Sequence, residues 1–378
     1  MTCHRIVLLG LTAAPVGIAG LALSIAATAR PVSREGSRVL YVTNYGSNDI
    51  SAFRLDPDGN VQEPPVLFPV AEGAINPLVA VLSPAGDHLY VSNWGSGDVS
   101  AYCIGENGAL RPLATVTPAE PRPLNPSGMV ISLDGRYLFM AAYDDGGPGR
   151  ISTFAIDRTG RPWPLATIDA RGDGSAAAAL APDGRALYVA NVISGDVSAF
   201  AVGAGGSLRW LQTVESGWGA FFPATTPDGR LLVVANALSN DLSVFRVTGR
   251  GTLRPIGGPV ASGGDGPRGV VISPDGRRVY VAHYHGGTEP GSVAVFTLAA
   301  NGRLAQLGEA VLTGGNGAEA MALDPSAQRL FVANFNSNGC GSLSPFAINR
   351  DGSVSLGSEP IPTGGKQPDF GGLVILSK

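Results

Sequence analysis

The sequence predicts an all-β fold, a seven-bladed β-propeller made of four-stranded antiparallel blades. The first observation is a repeat, a short apolar run that ends in Asn, as in Leu40–Asn44 and Leu89–Asn93. The residues that end the seven copies are Asn44, Asn93, Ala142, Asn191, Asn236, His283 and Asn334. Steps of about 45 to 51 residues indicate one supersecondary unit stacked on copies of itself. The second observation is the composition, 53 Gly and 29 Pro in 378 residues, which suits many turns and few helices.

Each repeat divides into four short strands, as the sixth copy illustrates. An inner strand at 269–273 precedes the turn Pro274-Asp275-Gly276 and a second strand at 278–282. The third and fourth strands follow at 292–296 and 303–307. Pro presets φ in such a turn and Gly supplies a positive φ, so the pair suits a tight reversal between strands.

The two ends of the chain each contain only part of a repeat, and the two parts are complementary. Residues 371–377 match an inner strand, yet no second strand follows them. Residues 38–41 begin directly at a second strand. We therefore predict that the C-terminal strand joins the N-terminal blade and closes the ring, which leaves no unpaired inner edge.

The N-terminal segment differs from the repeats. Arg5 precedes a nearly uninterrupted apolar stretch, 6–25, which is followed by Ala27-Thr28-Ala29. This is the pattern of a secretory signal peptide, although the stretch is also long enough for a membrane anchor. We predict a signal peptide at 1–29, with an uncleaved anchor as the alternative, a linker at 30–37 and one propeller domain at 38–378. The protein is then secreted, extracellular or in the cell envelope, and touches a membrane only through an uncleaved N-terminus.

Charge and cysteine content restrict the partners. The formal net charge is −4, and no basic stripe occurs along the chain, so nucleic acid is not an expected partner. After the signal segment only Cys103 and Cys340 remain, at unrelated positions of their repeats, so we predict two free thiols.

Three motifs resemble the lactonase-type seven-bladed propellers, a group that includes 6-phosphogluconolactonases, muconate cycloisomerases and YVTN-repeat surface proteins. They are Tyr-Val-Thr-Asn at 41–44, Ser-Pro-Asp-Gly at 273–276 and Asp-Ile-Ser-Ala-Phe at 49–53. In lactone-active members the resemblance implies a site with one His before an inner strand, an Arg-His pair, a Glu and a second Arg. Arg268 matches the first Arg, whereas Gly269, Tyr284 and Phe335 stand at the next positions and residues 222–224 supply no His.

A propeller gathers the loops between blades, and those between second and third strands, on one face around the central channel, the top face. We expect any ligand there. The candidate catalytic residues are Arg268 and His283, with His283 as a base beside Arg268. The candidate ligand-binding residues are Asp173, Trp218, His285, Glu289 and Glu319. The alternative for His283 is a hydrogen-bonded loop His that replaces the repeat Asn, with His285 solvated. No metal site and no cofactor are predicted.

Two further columns of residues have structural interpretations. The Asn column ends strands beside turns, where an Asn side chain can bond nearby backbone groups, and the following Asp column is expected to cap the same turn. Aromatic residues follow the Asn column at Tyr45, Trp94, Tyr143, Tyr284 and Phe335. They either pack between adjacent blades or form the floor of a binding surface.

The functional prediction is a secreted monomer that acts as a binding or interaction module through its top face. Its partner would be a small molecule, a glycan or a protein. The alternative is an exported lactone hydrolase or cycloisomerase, in which Arg268 stabilises an oxyanion and His283 is the base. A third possibility is an envelope protein anchored by its uncleaved N-terminus.

Overall fold

The structure, a computed structural model, describes residues 38–121, 123, 125–144, 147–336, 339–365 and 372–376. The predicted signal peptide and the linker lie outside these residues. The described chain forms seven antiparallel sheets, each of which is one blade of a β-propeller. Blade 1 combines the first strands of the chain with its last, and blades 2 to 7 follow in chain order.

Each blade has four strand positions, numbered outward from the channel. The innermost strands are β31 (Leu373–Leu376), β4 (Pro77–Leu82), β8 (Pro126–Ile131), β12 (Ser175–Leu180), β16 (Ala220–Thr225), β21 (Pro267–Ile272) and β26 (Ala318–Leu323). The second strands are β1 (Arg38–Asn44), β5 (His88–Asn93), β9 (Tyr137–Ala142), β13 (Ala186–Asn191), β17 (Leu231–Asn236), β22 (Arg278–His283) and β27 (Arg329–Asn334). The third strands are β2 (Asp49–Leu55), β6 (Asp98–Ile104), β10 (Pro148–Ile156), β14 (Asp196–Val202), β18 (Asp241–Val247), β23 (Pro290–Leu298) and β28 (Ser342–Ile348).

The outer strands are continuous in blades 1 to 4 and broken into two pieces in blades 5 to 7. They are β3 (Val61–Pro69), β7 (Leu110–Val116), β11 (Pro162–Asp173), β15 (Leu208–Glu215), β19 (Leu253–Pro255) with β20 (Val260–Ala261), β24 (Leu304–Gln306) with β25 (Val311–Asn316), and β29 (Val354–Leu356) with β30 (Ile361–Pro362). Short 3₁₀ turns occur at Glu106–Gly108, Ala204–Gly206 and His285–Gly287. No described helix has the length and apolar character needed to cross a bilayer.

The predicted ring closure is confirmed. Strand β31 pairs antiparallel with β1, with Val42 opposite Leu373. The backbone N–H of Gly372 donates to the carbonyl oxygen of Leu78 in blade 2 at 2.7 Å. A Cβ on Gly372 would lie 2.5 Å from the backbone nitrogen of Ala80, so only glycine permits this approach. The last strand therefore holds blades 1 and 2 together.

A buried ion pair joins blade 1 to blade 7. Arg38 Nη1 lies 3.1 Å from Asp324 Oδ1, and the Asp324 side chain is 2% exposed. Most of the core lies between neighbouring sheets, because inner and second strands are buried on both faces, as in the inner strand β8 and the second strand β17. Such a core needs no disulfide, and Cys103 and Cys340 are both free thiols.

The Asn column is structural, and in blade 7 Asn334 Nδ2 donates to the backbone oxygen of Ser342 at 3.4 Å, as expected. In blades 1, 2, 4 and 5 the hydrogen bonds differ from those expected. Instead of backbone groups, Asn44 Nδ2 donates to Asp49 Oδ1 at 2.6 Å and to Ser51 Oγ at 2.7 Å. The same Asn–Asp–Ser triad recurs at Asn93–Asp98–Ser100, Asn191–Asp196–Ser198 and Asn236–Asp241–Ser243. The Asp column thus holds the second strand to the third at the top of the blade.

The two faces of the ring differ in charge. The top face carries the loops between blades and those between second and third strands, and the opposite, bottom face carries the remaining turns. The described acidic residues of the top half are Asp49, Glu72, Asp98, Glu120, Asp144, Asp169, Asp173, Asp196, Glu215, Asp241, Asp265, Glu289 and Glu319, and its described arginines are Arg150, Arg171 and Arg268. The described arginines of the bottom half are Arg38, Arg54, Arg111, Arg136, Arg158, Arg161, Arg185, Arg209, Arg230, Arg246, Arg250, Arg254, Arg277, Arg278, Arg303, Arg329 and Arg350. They outnumber its described acids, Asp56, Asp58, Glu63, Asp87, Glu106, Asp134, Asp157, Asp183, Asp228, Asp275, Asp324 and Asp351, even when Glu309 and Glu359, which lie between the two pieces of an outer strand, are added to them.

Candidate functional site

The inner strands carry a bulge at their top ends. In blades 3 to 7 the pairing register shifts after the first residue of the inner strand, so the second residue has no partner on the neighbouring strand. These residues are Ser127, Ala176, Phe221, Arg268 and Glu319. A bulge of this kind re-aims a side chain. These positions lie at the top ends of the strands nearest the central channel, and Arg268, at 15%, is the one of the five that is more than 1% exposed. We call these five residues the mouth arc.

Arg268 and Glu319 form an ion pair within the mouth arc. Arg268 Nη1 lies 2.6 Å from Glu319 Oε1, and the two side chains are 15% and 1% exposed. The guanidinium carbon lies 3.7 Å from the ring centroid of Tyr284 and 5.3 Å from that of Phe221. Arginine presents edges that donate hydrogen bonds and faces that stack on aromatic rings, and this site uses both. The result is a fixed guanidinium that still reaches solvent.

The residue after Arg268 explains why no histidine follows it. A Cβ on Gly269 would lie 2.8 Å from the backbone oxygen of Glu319. Strands β21 and β26 therefore approach too closely for any side chain at this position. The same approach brings Glu319 within reach of Arg268.

His283 lies in a separate cluster of hydrogen bonds. Its Nε2 lies 3.0 Å from the carbonyl oxygen of Ser262, and its Nδ1 lies 3.3 Å from Ser292 Oγ. Ser292 Oγ in turn lies 2.9 Å from His285 Nε2. Burial, with a smaller contribution from His285, lowers the pKa of His283 from 6.5 to about 4, so the ring is neutral at neutral pH.

The proton positions in this cluster follow from the partners. The carbonyl of Ser262 can only accept, so Nε2 of neutral His283 carries the proton and Nδ1 accepts from the Ser292 hydroxyl. Ser292 then accepts from His285 Nε2. His283 is fully buried, and its described contacts are with this cluster and not with Arg268. Its geometry therefore favours the loop-fixing interpretation over that of a base.

The other predicted ligand-binding residues lie on top-face loops. Trp218 is 61% exposed in the loop before β16, close to Leu238, which is 51% exposed. Asp173 is exposed at the end of β11, and its carbonyl oxygen accepts from the N–H of Ile193. Glu289 is exposed, and its carbonyl oxygen accepts from the N–H of Gly317, just before β26. The structure thus brings Arg268 and Glu319 together and places Asp173, Trp218 and Glu289 on separate top-face loops.

The aromatic column packs between blades. Tyr45, Trp94 and Phe335 are at most 8% exposed. Trp94 and Tyr143 of adjacent blades have ring centroids 5.9 Å apart, and Tyr284 meets Phe335 edge to face at 5.5 Å. This arrangement matches the packing interpretation, and it also gives Tyr284 a rigid support beneath Arg268.

No cluster of three or more His, Cys, Asp or Glu side chains within the described residues could hold a metal ion. A cleft of about 500 Å³ opens on the bottom face between the turns of blades 5 and 6. It is lined by both signs of charge, including Asp228, Asp275 and Arg277, and lies at the opposite end of the ring from the mouth arc.

Two residues of this region were not predicted from the sequence, Phe221 beside Arg268 and Ser292 beside His283. Phe221 occupies the same bulge position as Arg268 one blade earlier, a relation that aligning the inner strands would reveal. Ser292 occupies the Asp position of the triad in blade 6, opposite His283. Its part in the cluster could be found by comparing blade 6 with the other repeats.

Comparison with known families adds an independent result. The family described as "Lactonase, 7-bladed beta-propeller" matches residues 69–174, 164–265 and 260–370. Among curated proteins none is similar enough in sequence to match.

Several solved structures share the fold over nearly their whole length. A periplasmic gluconolactonase from Pseudomonas aeruginosa has 22% identity and a TM-score of 0.73, over 90% of this chain and 99% of that one. A protein from Lactobacillus plantarum has 21% identity and a TM-score of 0.75, over 90% and 99%. A candidate 6-phosphogluconolactonase from Bacteroides fragilis has 21% identity and a TM-score of 0.73, over 91% and 100%. At these identities the similarity establishes the architecture.

Proposed function

From the premise that this chain belongs to the lactonase family of seven-bladed β-propellers, we propose that it is exported and binds a small, uncharged lactone-type or sugar-like ligand at its channel mouth. The observation that carries the proposal is the pairing of Arg268 with Glu319 on adjacent inner strands. The guanidinium can donate to an ester carbonyl or a hydroxyl, and the carboxylate can accept from a hydroxyl. A ligand that offers both kinds of group fits this pair.

Electrostatics favour an uncharged ligand. Glu319 neutralises Arg268 at 2.6 Å, and the other described charges of the top half are mostly carboxylates, including Asp173, Asp265 and Glu289. A phosphorylated ligand would enter a negative potential, and the described residues of the top half hold no cluster of cations to receive it, so it should bind more weakly. The exposed ring of Trp218 could cover an apolar face of a sugar-like ligand.

Export is supported by two observations of different kinds. The N-terminal sequence has the charged start, apolar stretch and Ala-x-Ala ending of a signal peptide. A protein of the same fold is described as a periplasmic gluconolactonase. Sequencing the N-terminus of the protein recovered from its native host tests this part. A first residue near Arg30 is expected, and an intact N-terminus in a cytoplasmic fraction would contradict it.

Calorimetric titration with gluconolactone and with its 6-phosphorylated form tests the binding site. Arg268→Met alone would leave Glu319 buried without its cation, so the decisive variant is Arg268→Met combined with Glu319→Gln. Loss of a charge-assisted hydrogen bond should weaken binding roughly 10- to 100-fold. The matched control is Arg254→Met, an exposed arginine of the bottom face. Equal affinity in the double variant, or tighter binding of the phosphorylated ligand, would overturn the proposal.

A second candidate, hydrolysis of the bound lactone, is favoured by the same pair. Arg268 would stabilise the developing oxyanion and Glu319 would accept a proton from the attacking water. Glu319 suits this role better than His283, whose two ring nitrogens are engaged by Ser262 and Ser292. Base uptake at constant pH measures the turnover. Glu319→Gln should abolish it and leave binding within a few fold, whereas retained turnover in that variant would exclude Glu319 as the base.

A further inference from the structure

The bottom face carries a row of exposed arginines at equivalent positions. Directly after the glycine of the turn between first and second strands, blades 3 to 6 place Arg136, Arg185, Arg230 and Arg277. All four are exposed. Because the blades are consecutive and the positions equivalent, the four guanidinium groups follow an arc across more than half of the ring. We call them the arginine arc.

The carboxylates of the same turns are engaged by the turns themselves. Asp275 Oδ1 accepts from Ser273 Oγ and from the backbone N–H of Arg277, and Asp228 Oδ1 accepts from Thr226 Oγ1 and the N–H of Arg230. Within the arc the described ion pairs include one weak contact, Arg230 Nε to Asp228 Oδ2 at 3.8 Å. The acids thus stabilise the backbone while the arginine side chains extend into solvent.

The described residues of the top half carry a net negative charge. Its described carboxylates far outnumber its described arginines, whereas arginines exceed acids in the bottom half. A body with such a charge separation turns its bottom face toward an anionic surface and its top face away from it. Guanidinium groups are also well suited to phosphate, which they bind through paired N–H donors.

The position of the first described strand supports the same orientation of the ring toward a membrane. The first described strand starts at Arg38 on the bottom face, and twelve residues, 26–37, separate it from the apolar stretch 6–25. Twelve extended residues span about 40 Å at most, so a membrane that holds this stretch before cleavage lies within that distance of Arg38.

We propose that the bottom face docks on an anionic phospholipid surface through the arginine arc, which leaves the channel mouth open on the side away from the membrane. This inference is independent of the ligand proposed for the mouth. It commits the face to lipid headgroups and not to a soluble polyanion, because the described chain begins at Arg38 on the same side of the ring as the arginine arc.

Vesicle partitioning tests the proposal, with the uncleaved protein and with the form that begins near Arg30. Where the apolar N-terminus is present, it contributes equally to the binding of both kinds of vesicle. The quantity of interest is therefore the ratio of the partition constants for phosphatidylglycerol-containing and pure phosphatidylcholine vesicles. We expect a ratio of at least tenfold at low salt that falls toward one in 0.5 M salt. Replacing the arc by glutamine, R136Q/R185Q/R230Q/R277Q, should remove most of the ratio. The top-face variant R150Q/R171Q, as a matched control, should keep it.

Two results would overturn the proposal. One is an equal ratio for the arc variant and the wild type, with both proteins melting at the same temperature. The other is displacement of the wild-type protein from the anionic vesicles by a DNA duplex at equal phosphate concentration. That result would assign the arc to soluble polyanions.

Discussion

Replacing His283 by Asn, the residue that the repeat has in five other blades, should remove a specific pH dependence of stability. His283 is fully buried, and burial lowers its pKa in the folded protein from 6.5 to about 4. The unfolded chain binds a proton near pH 6.5 and the folded chain does so only near pH 4. Between these values the unfolded state holds more protons, so stability falls as the pH falls.

The magnitude follows from the two pKa values. A shift of one pKa unit corresponds to about 1.4 kcal/mol, so acidification from pH 8 to pH 4.5 should cost the wild type about 2.5 kcal/mol through this group. Carboxylates elsewhere in the protein also titrate as the pH falls. They are common to both proteins, so the difference between wild type and His283→Asn isolates the contribution of His283.

Urea unfolding at pH 8, 6, 5 and 4.5 measures this difference. The free-energy gap between wild type and His283→Asn should shift in favour of the variant as the pH decreases, by about 2.5 kcal/mol over the whole range. Asn can occupy the site, because Asn236 fills the equivalent position in blade 5. A gap that stays constant with pH would refute the assignment of a neutral, buried imidazole.

Three further substitutions have expected outcomes in thermal or urea unfolding. Arg38→Ala should destabilise the ring by about 3 kcal/mol, because Asp324 would remain buried without its cation, and a variant within 0.5 kcal/mol of wild type would argue against the ion pair as a closure element. Asn191→Ala should cost about 2 kcal/mol, since Nδ2 donates to both Asp196 and Ser198 at 2.7 and 2.9 Å; an unchanged midpoint would contradict the triad. Gly269→Ala should cost at least about 2 kcal/mol, because its Cβ would lie 2.8 Å from the carbonyl oxygen of Glu319, and a stable variant would show that β21 and β26 can separate.

Much of the fold could be predicted because the sequence pattern of each blade recurs seven times. The Asn column and the Pro-Asp-Gly turns fixed the number of blades, and the unmatched ends at Arg38 and Leu373 fixed the closure. Strand bounds were less predictable in the outer positions, where β19 and β20 replace one expected strand, since few buried residues mark an edge. The partners of Asn191 were missed because a propensity for turns does not reveal which side chain stands opposite.

The site was only partly predictable, for a physical reason. Arg268 was visible from its motif and Glu319 from its place on the top face, but their pairing depends on how closely two inner strands approach. That approach is set by Gly269, and it does not appear in any local pattern. The position of His283 shows the same limit, because its two hydrogen-bond partners, Ser262 and Ser292, come from different blades.

The pairing also changes how the missing motif residues are understood. The resemblance that began with the motifs places a carboxylate where this chain has Tyr284, which suggests a lost function when each position is considered alone. A guanidinium offers edges and faces, however, and here Tyr284 covers a face at 3.7 Å while Glu319 binds an edge at 2.6 Å. A carboxylate beside Arg268 thus comes from the next blade. In a ring of repeated blades, an inner strand that approaches its neighbour this closely can supply a group that its own blade lacks, so the chemistry of Arg268 has to be judged from two blades together.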